Sequence, residues 1–153
     1  MLKEPFRVEH LDHVELFVPD QRQAADWYQQ LFGLEILPDY EFWAAGGPLM
    51  ISSDDGKTML ALFEGEPPGF NPPVGFQRVA FRVTGAGLFT FLEQVKAFGV
   101  YTHQGEPAQE LPVINHDLSY SVYFCDPYGN RYEVTTYDYH YVAGQLALAS
   151  EGV

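Results

Sequence analysis

The chain contains an internal repeat, and this feature limits its fold more than any other. Segment 13–18 opens the first copy with a histidine, and segment 78–83 opens the second copy with an arginine in the same place. Each segment alternates like a strand, precedes a helix-like stretch and is followed about twenty residues on by a glycine, Gly33 or Gly99. Two copies of one supersecondary unit are therefore expected, and they differ by a His-to-Arg exchange.

The first copy is predicted to be a βαβββ module. Apolar residues alternate along 12–18, Asp20 suits a helix N-cap, and a helical apolar pattern continues to Gly33. Three further strands are expected, at 34–38, 41–52 and 58–63.

The second copy repeats this order. A strand at 76–83 leads to a cap at Thr84 and an amphipathic helix that ends at Gly99. Later strands are expected near 100–104, 119–125 and 130–137, and a short helix at 141–149. We expect a single domain over 1–153, made of module 1 at about 8–64, a Pro- and Gly-rich linker at 65–74, module 2 at 75–138 and a tail at 139–153.

The charge of the chain excludes some classes of partner. Eight Lys and Arg against 21 Asp and Glu give a formal net charge of -13, which argues against nucleic acid and anionic membranes. No segment has the apolar length of a membrane helix, and the opening residues do not resemble a signal peptide. The single cysteine, Cys125, agrees with a cytoplasmic location and is expected to be an inert buried group.

Strand alternation predicts one polar sheet face that is unsuited to a core. If the two sheets curl, that face lines a cup with apolar walls and convergent polar groups, typical of a small-molecule site. The residues expected on it are His13, Glu15, Phe17, Met59, Ala61, Phe63, Arg78, Arg82, Ser119, Ser121, Tyr123, Arg131, Glu133 and Thr135.

Four stretches, 11–20, 27–34, 78–83 and 115–134, resemble the vicinal oxygen chelate superfamily, which comprises the glyoxalase, bleomycin resistance and extradiol dioxygenase proteins. The resemblance implies an α+β fold in which two tandem βαβββ modules form a curved mixed-sheet cup. It also implies a homodimer and a small-molecule substrate or ligand. It is weak for the reaction, because this scaffold hosts many chemistries.

The resemblance also implies four metal-ligand positions, occupied here by His13, Ala61, Arg78 and Glu133. His13 and Glu133 can bind a metal. The methyl group of Ala61 cannot, and the guanidinium of Arg78 has no lone pair to donate. The set leaves open one divalent ion (Fe, Mn, Ni or Zn) or none, with an Arg78–Glu133 ion pair in its place.

The remaining candidates concern substrate. Arg78 and Arg82 suit a carboxylate, enolate or phenolate, although charge balance explains them equally well. His116 suits an acid or base, and a surface-loop role is its plainer explanation. Tyr123 stands ten residues before Glu133. This spacing resembles that between an active-site tyrosine and the metal-binding glutamate of extradiol enzymes. Substrate contacts are expected from Arg82, Phe17, Phe63 and Ser121, whereas His103 shows no partner spacing.

Two functions remain open. The first is an enzyme, a lyase or oxidoreductase of the glyoxalase or extradiol type, which uses a metal or Arg78 to stabilise an oxyanion while His116 or Tyr123 handles a proton. The second is a non-catalytic protein that sequesters an antibiotic, as the resemblance to bleomycin resistance proteins implies. The net charge of -13 favours sequestration of a cationic compound, and the segment around Tyr123 and Glu133 favours the enzyme.

Overall fold

The computed structural model describes residues 9–66 and 78–152. Its contacts divide the chain into two compact units, Met1–Pro68 and Gly69–Val153. The predicted linker at 65–74 lies outside the described residues except for its first two positions.

The first unit contains a four-stranded sheet in the order β1-β4-β3-β2. Strand β1 runs parallel to β4, and the other neighbours are antiparallel. The elements are β1 (His13–Val18), α1 (Gln21–Phe32), β2 (Glu35–Ile36), a 3-10 helix (Pro38–Ala44), β3 (Leu49–Ser52) and β4 (Met59–Glu64).

The second unit contains a six-stranded sheet in which β5-β10-β9-β6-β7 are neighbours and β8 also pairs with β9. Strand β5 runs parallel to β10, and β10 is antiparallel to β9. The elements are β5 (Val79–Arg82), α2 (Gly85–Phe98), β6 (Val100–Tyr101), β7 (Pro107–Ala108), β8 (Ile114–Asn115), β9 (Tyr120–Cys125), β10 (Arg131–Thr136) and α3 (Tyr139–Glu151).

The helix boundaries agree with the sequence signals. The carboxylate of Asp20 accepts a hydrogen bond from the Gln23 amide, and the hydroxyl of Thr84 accepts one from the Gly87 amide. Gly33 ends α1 at φ 69°, in the left-handed region where a side chain would be strained. The predicted α+β fold with two βαβββ modules is confirmed.

The strand expected over 41–52 is wrong in its first half. Pro38 fixes the backbone at the start of the 3-10 helix, and pairing begins only at Leu49, after Gly46 and Gly47. The apolar run that suggested a strand leaves Phe42 72% exposed, so it forms no part of the core.

The core of the second unit lies on one face of its sheet. Phe124 and Tyr132 are fully buried there, and Phe91 of α2 packs against Phe124 with ring centroids 5.2 Å apart. The opposite face therefore carries the other residues of the same strands, including the polar ones. None of the helices in the described part of the chain is long and apolar enough to cross a membrane.

Candidate functional site

The polar face of the second sheet is assembled by strand register. Glu133 pairs with Ala80 on one side and with Tyr123 on the other, and Thr135 pairs with Arg82 and Ser121. Residues paired across neighbouring strands point to the same face, so predicted site residues from three strands come together here. The Ser121 hydroxyl is buried and donates to the Thr135 hydroxyl at 2.9 Å.

Two of these side chains, Tyr123 and Glu133, form a hydrogen-bonded line with His116. The Tyr123 hydroxyl donates to Glu133 Oε1 at 3.3 Å, and the Tyr123 hydroxyl oxygen lies 2.7 Å from His116 Nε2. His116 stands on the loop before β9, where its backbone amide donates to the Ser119 carbonyl. This turn joins β8 to the antiparallel strand β9, and the His116 imidazole contacts Tyr123 of β9.

The number of protons on each group decides which atoms donate and which accept in these hydrogen bonds. A phenol has one proton, so a Tyr123 hydroxyl that donates to Glu133 accepts its other hydrogen bond from N–H at His116 Nε2. Burial is the main cause that raises the pKa of Tyr123, with the Glu133 charge acting in the same sense. The phenol is therefore protonated at neutral pH and available as a donor.

Arg78 lies over the line from the side of β5. Its guanidinium carbon is 4.4 Å from the centroid of the Tyr123 ring, a cation–π geometry. One guanidinium nitrogen lies 3.4 Å from Nε2 of His103. Because a guanidinium can only donate, His103 Nε2 accepts this contact, and the proton of the neutral imidazole is on Nδ1.

His103 is the contact that sequence reasoning missed. It follows β6 by two residues and reaches Arg78 across a sequence separation of 25. Burial lowers the pKa of His103, and the charges of Arg78 and Arg131 lower it further, so the neutral, accepting form is favoured.

The cations of the second unit are concentrated on this polar face. Between residues 78 and 152 the cationic residues are Arg78, Arg82, Lys96 and Arg131, and the three arginines all belong to the face. Arg82 lies over the Tyr137 ring at 4.8 Å. Cys125, paired with Arg131, is buried, and burial raises the pKa of its thiol, which agrees with the expected inert role.

The first unit contributes a different environment. Nδ1 of His13 lies 2.7 Å from Asp12 Oδ2, and Nε2 lies 3.6 Å from Glu15 Oε1. Phe17 and Phe63 are stacked with centroids 5.5 Å apart. Ala61 is buried in a small apolar cluster that also contains Met50, Met59, Leu37 and Phe63.

The comparisons with known proteins identify the family. The family model for the Glyoxalase/Bleomycin resistance protein/Dioxygenase superfamily matches residues 10–134, which include both modules and the line of Tyr123, His116 and Glu133. The chain belongs to this superfamily. Comparison with curated proteins gives no match.

Solved structures share the superfamily fold at low sequence identity. A mutant of the fosfomycin resistance protein FosX from Listeria monocytogenes, complexed with Mn(II) and 1S,2S-dihydroxypropylphosphonic acid, is 18% identical with TM-score 0.62, over 85% of this chain and 93% of that one. Oxidase ChaP-H2 is 22% identical with TM-score 0.61, over 85% and 94%. An integron cassette protein from the mobile metagenome of a Halifax Harbour sewage outfall is 19% identical with TM-score 0.57, over 84% and 99%.

The donor set for a superfamily metal is incomplete. His13 and Ala61 belong to the first unit and Arg78 and Glu133 to the second, and only His13 and Glu133 have lone pairs to offer. Within the described part of each unit, no three His, Cys, Asp or Glu side chains come together as a metal-binding group. These side chains therefore do not fit a conventional three-ligand centre.

The pKa values of two histidines are expected to be shifted in opposite directions, and an NMR titration can measure both. The hydrogen bond to Asp12 is the main cause that raises the pKa of His13 above the ordinary 6.5, whereas that of His103 is lowered. Protonated His13 thus stabilises the fold at low pH, and this contribution is lost as the pH rises through its folded-state pKa. His103 acts oppositely, because the unfolded chain binds its proton more readily, so stability falls as the pH drops below 6.5.

Single-residue variants test the cause of each pKa shift. Asp12→Asn should lower the pKa of His13 and leave that of His103 unchanged, and Arg78→Gln should raise the pKa of His103. A His103 that titrates above 6.5 in the wild-type protein would contradict its role as an acceptor.

Proposed function

We propose that this superfamily member is an enzyme that acts on a small oxygenated organic anion through an arginine-assisted site on the second sheet. The observation that carries the proposal is the hydrogen-bonded line of His116, Tyr123 and Glu133 beneath the guanidinium of Arg78. It joins a fixed cation to a proton donor within one unit.

Arg78 would stabilise negative charge that develops on the substrate. A guanidinium stays protonated throughout the physiological range and presents paired donors that match a carboxylate or enolate. Its contacts with the Tyr123 ring and His103 orient it before substrate arrives, which favours catalysis because the donor need not reorganise.

Tyr123 would deliver a proton or a hydrogen bond to the same substrate. Its contact with Glu133 is 3.3 Å long, beyond the 2.7–2.8 Å typical of O–H···O bonds, so a substrate oxygen can compete for the proton. His116, at 2.7 Å, is placed to resupply a proton that Tyr123 gives up. Glu133 would orient the free hydroxyl between turnovers.

The ligand of one neighbouring structure is consistent with this substrate class. FosX was crystallised with a dihydroxylated phosphonic acid, a small oxygen-rich anion, and with Mn(II). In this chain the cationic role would pass to Arg78, because its side chain replaces a ligand that the family pattern implies and has no lone pair for a metal. Metal binding and the homodimer stay predictions, to be tested by elemental analysis and by solution mass.

Arg78→Gln should abolish most of the activity. The wild-type protein is incubated with a panel of 2-oxoaldehydes, vicinal diols, epoxides and their carboxylated analogues, with and without EDTA, and products are followed by NMR. Loss of a charge-assisted contact to an oxyanion lowers kcat/KM by about 10- to 100-fold. Arg22→Gln, which removes an exposed cation of the first unit that is paired with Glu41, is the matched control.

The outcomes separate the two function classes. Turnover that survives EDTA and depends on Arg78 supports the arginine-assisted enzyme. Turnover that stops with EDTA assigns the cation to a metal and overturns the role of Arg78. Tight binding of a cationic compound without turnover of any panel member identifies a sequestering protein instead.

A further inference from the structure

A cavity in the second unit adjoins the proposed site. The chain between β6 and β9 carries the short strands β7 and β8. It borders a cavity of about 240 Å³ that is open to solvent. Its lining includes His103, Glu110, Leu111, Ile114 and Tyr123. Two lining residues, His103 and Tyr123, also contact Arg78.

We propose that this cavity, here named the loop pocket, receives a single six-membered ring or an equally compact apolar group carried by the anionic substrate. The proposal rests on the proposed function, because it assigns the substrate's anionic end to Arg78. It names Leu111 and Ile114 as residues that determine specificity.

The size of the loop pocket limits its occupant. A cavity of about 150 Å³ is enough to bind benzene, so one of about 240 Å³ has room for one substituted ring. It is smaller than the roughly 300–1,000 Å³ of sites for drug-sized ligands, which limits the part of a ligand held inside it to about one ring.

The chemistry of the lining sets the orientation of the ligand. Ala108, Leu111, Pro112 and Ile114 provide an apolar wall. Glu110 also lines the pocket, and its negative charge would repel a carboxylate or phenolate. The same charge adds to the larger effect of Glu93 in raising the pKa of Lys96.

Near Arg78, in contrast to Glu110, the surroundings favour an anion. His103 and Tyr123 each offer a neutral hydrogen-bonding group, and Arg78 beside them supplies positive charge. An anion carried on a ring would therefore place its oxygen at Arg78 and its ring against the apolar wall. Burial of that ring would add affinity in proportion to the apolar area removed from water.

The test compares two carboxylates that differ only in the ring. Acetate and benzoate are titrated into the full-length protein, and amide shifts are followed by NMR. We expect both to shift amides near Arg78 and Tyr123, and benzoate to bind about tenfold or more tightly. Ile114→Trp and, independently, Leu111→Trp should fill the cavity and reduce benzoate affinity to that of acetate. Leu118→Trp is the matched control, because Leu118 is 78% exposed on the same chain segment and is not in the lining.

The outcomes separate failure of the loop pocket from failure of the anion site at Arg78. If benzoate binds no more tightly than acetate, or if both Trp variants retain the preference for benzoate, the loop pocket is overturned while the Arg78 site stands. If neither anion shifts amides, or if Arg78→Gln leaves both affinities unchanged, the anion site and the loop pocket fail together.

Discussion

Replacement of Tyr123 by Phe is expected to lower kcat by about 10²- to 10⁴-fold, the usual contribution of a positioned general acid. The substitution keeps the ring beneath Arg78 and removes only the hydroxyl that joins His116 to Glu133. KM should change little, because the guanidinium that holds the substrate's charge remains in place. The measurement is steady-state kinetics with the substrate identified from the panel.

Matched variants separate the hydroxyl from general damage. Tyr141→Phe removes the hydroxyl of a tyrosine that is 48% exposed on α3, and it should leave kcat unchanged. His116→Gln keeps a donor near Tyr123 but cannot exchange a proton, so it should lower kcat while KM changes little. Wild-type kcat in Tyr123→Phe would show that the line has only a structural role.

Much of the architecture could be predicted because local rules agreed with the tertiary fold. Asp20, Thr84 and the closing glycines mark helix ends that the structure has at the same places. Alternation along β9 and β10 also predicted that Tyr123 and Glu133 share a face. Their direct pairing further depends on the turn between the strands, since a register shift of one residue would move one of them to the core.

That turn shows how a local motif fixes a distant contact. Asp126 is 1% exposed, and its carboxylate accepts hydrogen bonds from the Tyr128 and Asn130 amides and from the Asn130 side chain. These bonds close the turn, and the register that follows places Tyr123 opposite Glu133. The sequence predicted a hairpin turn at Asp126–Asn130, and the structure supplies the hydrogen bonds that define it.

The parts that could not be predicted depend on contacts between distant residues. His103 touches Arg78 although β9 and β10 lie between β6 and β5 in the sheet, and no spacing in the sequence indicates this contact. The short strands β7 and β8 have two residues each, too few to show alternation. Residues 41–44, the second half of the 3-10 helix at Pro38–Ala44, fall in a predicted strand because their aromatic side chains resemble a β pattern.

Replacement of Phe124 by Ala is expected to lower the free energy of unfolding by about 3–5 kcal/mol, a large share of the 5–15 kcal/mol typical of a domain. Phe124 is fully buried on the core face of β9 and lies 5.2 Å from the Phe91 ring and 5.9 Å from the Tyr132 ring. Truncation would remove both contacts and leave a cavity between α2 and the sheet, which close-packed neighbours cannot fill.

Urea denaturation followed by circular dichroism measures this loss, and two variants calibrate it. Phe124→Leu retains most of the apolar volume and should cost less than half as much, whereas Phe98→Ala, at a residue 50% exposed at the end of α2, should cost under about 1 kcal/mol. Because Tyr123 and Cys125 flank Phe124 on the opposite face, the same loss of packing should broaden the amide signals of the site. A Phe124→Ala protein as stable as Phe98→Ala would mean that this stack of rings contributes little to the second unit.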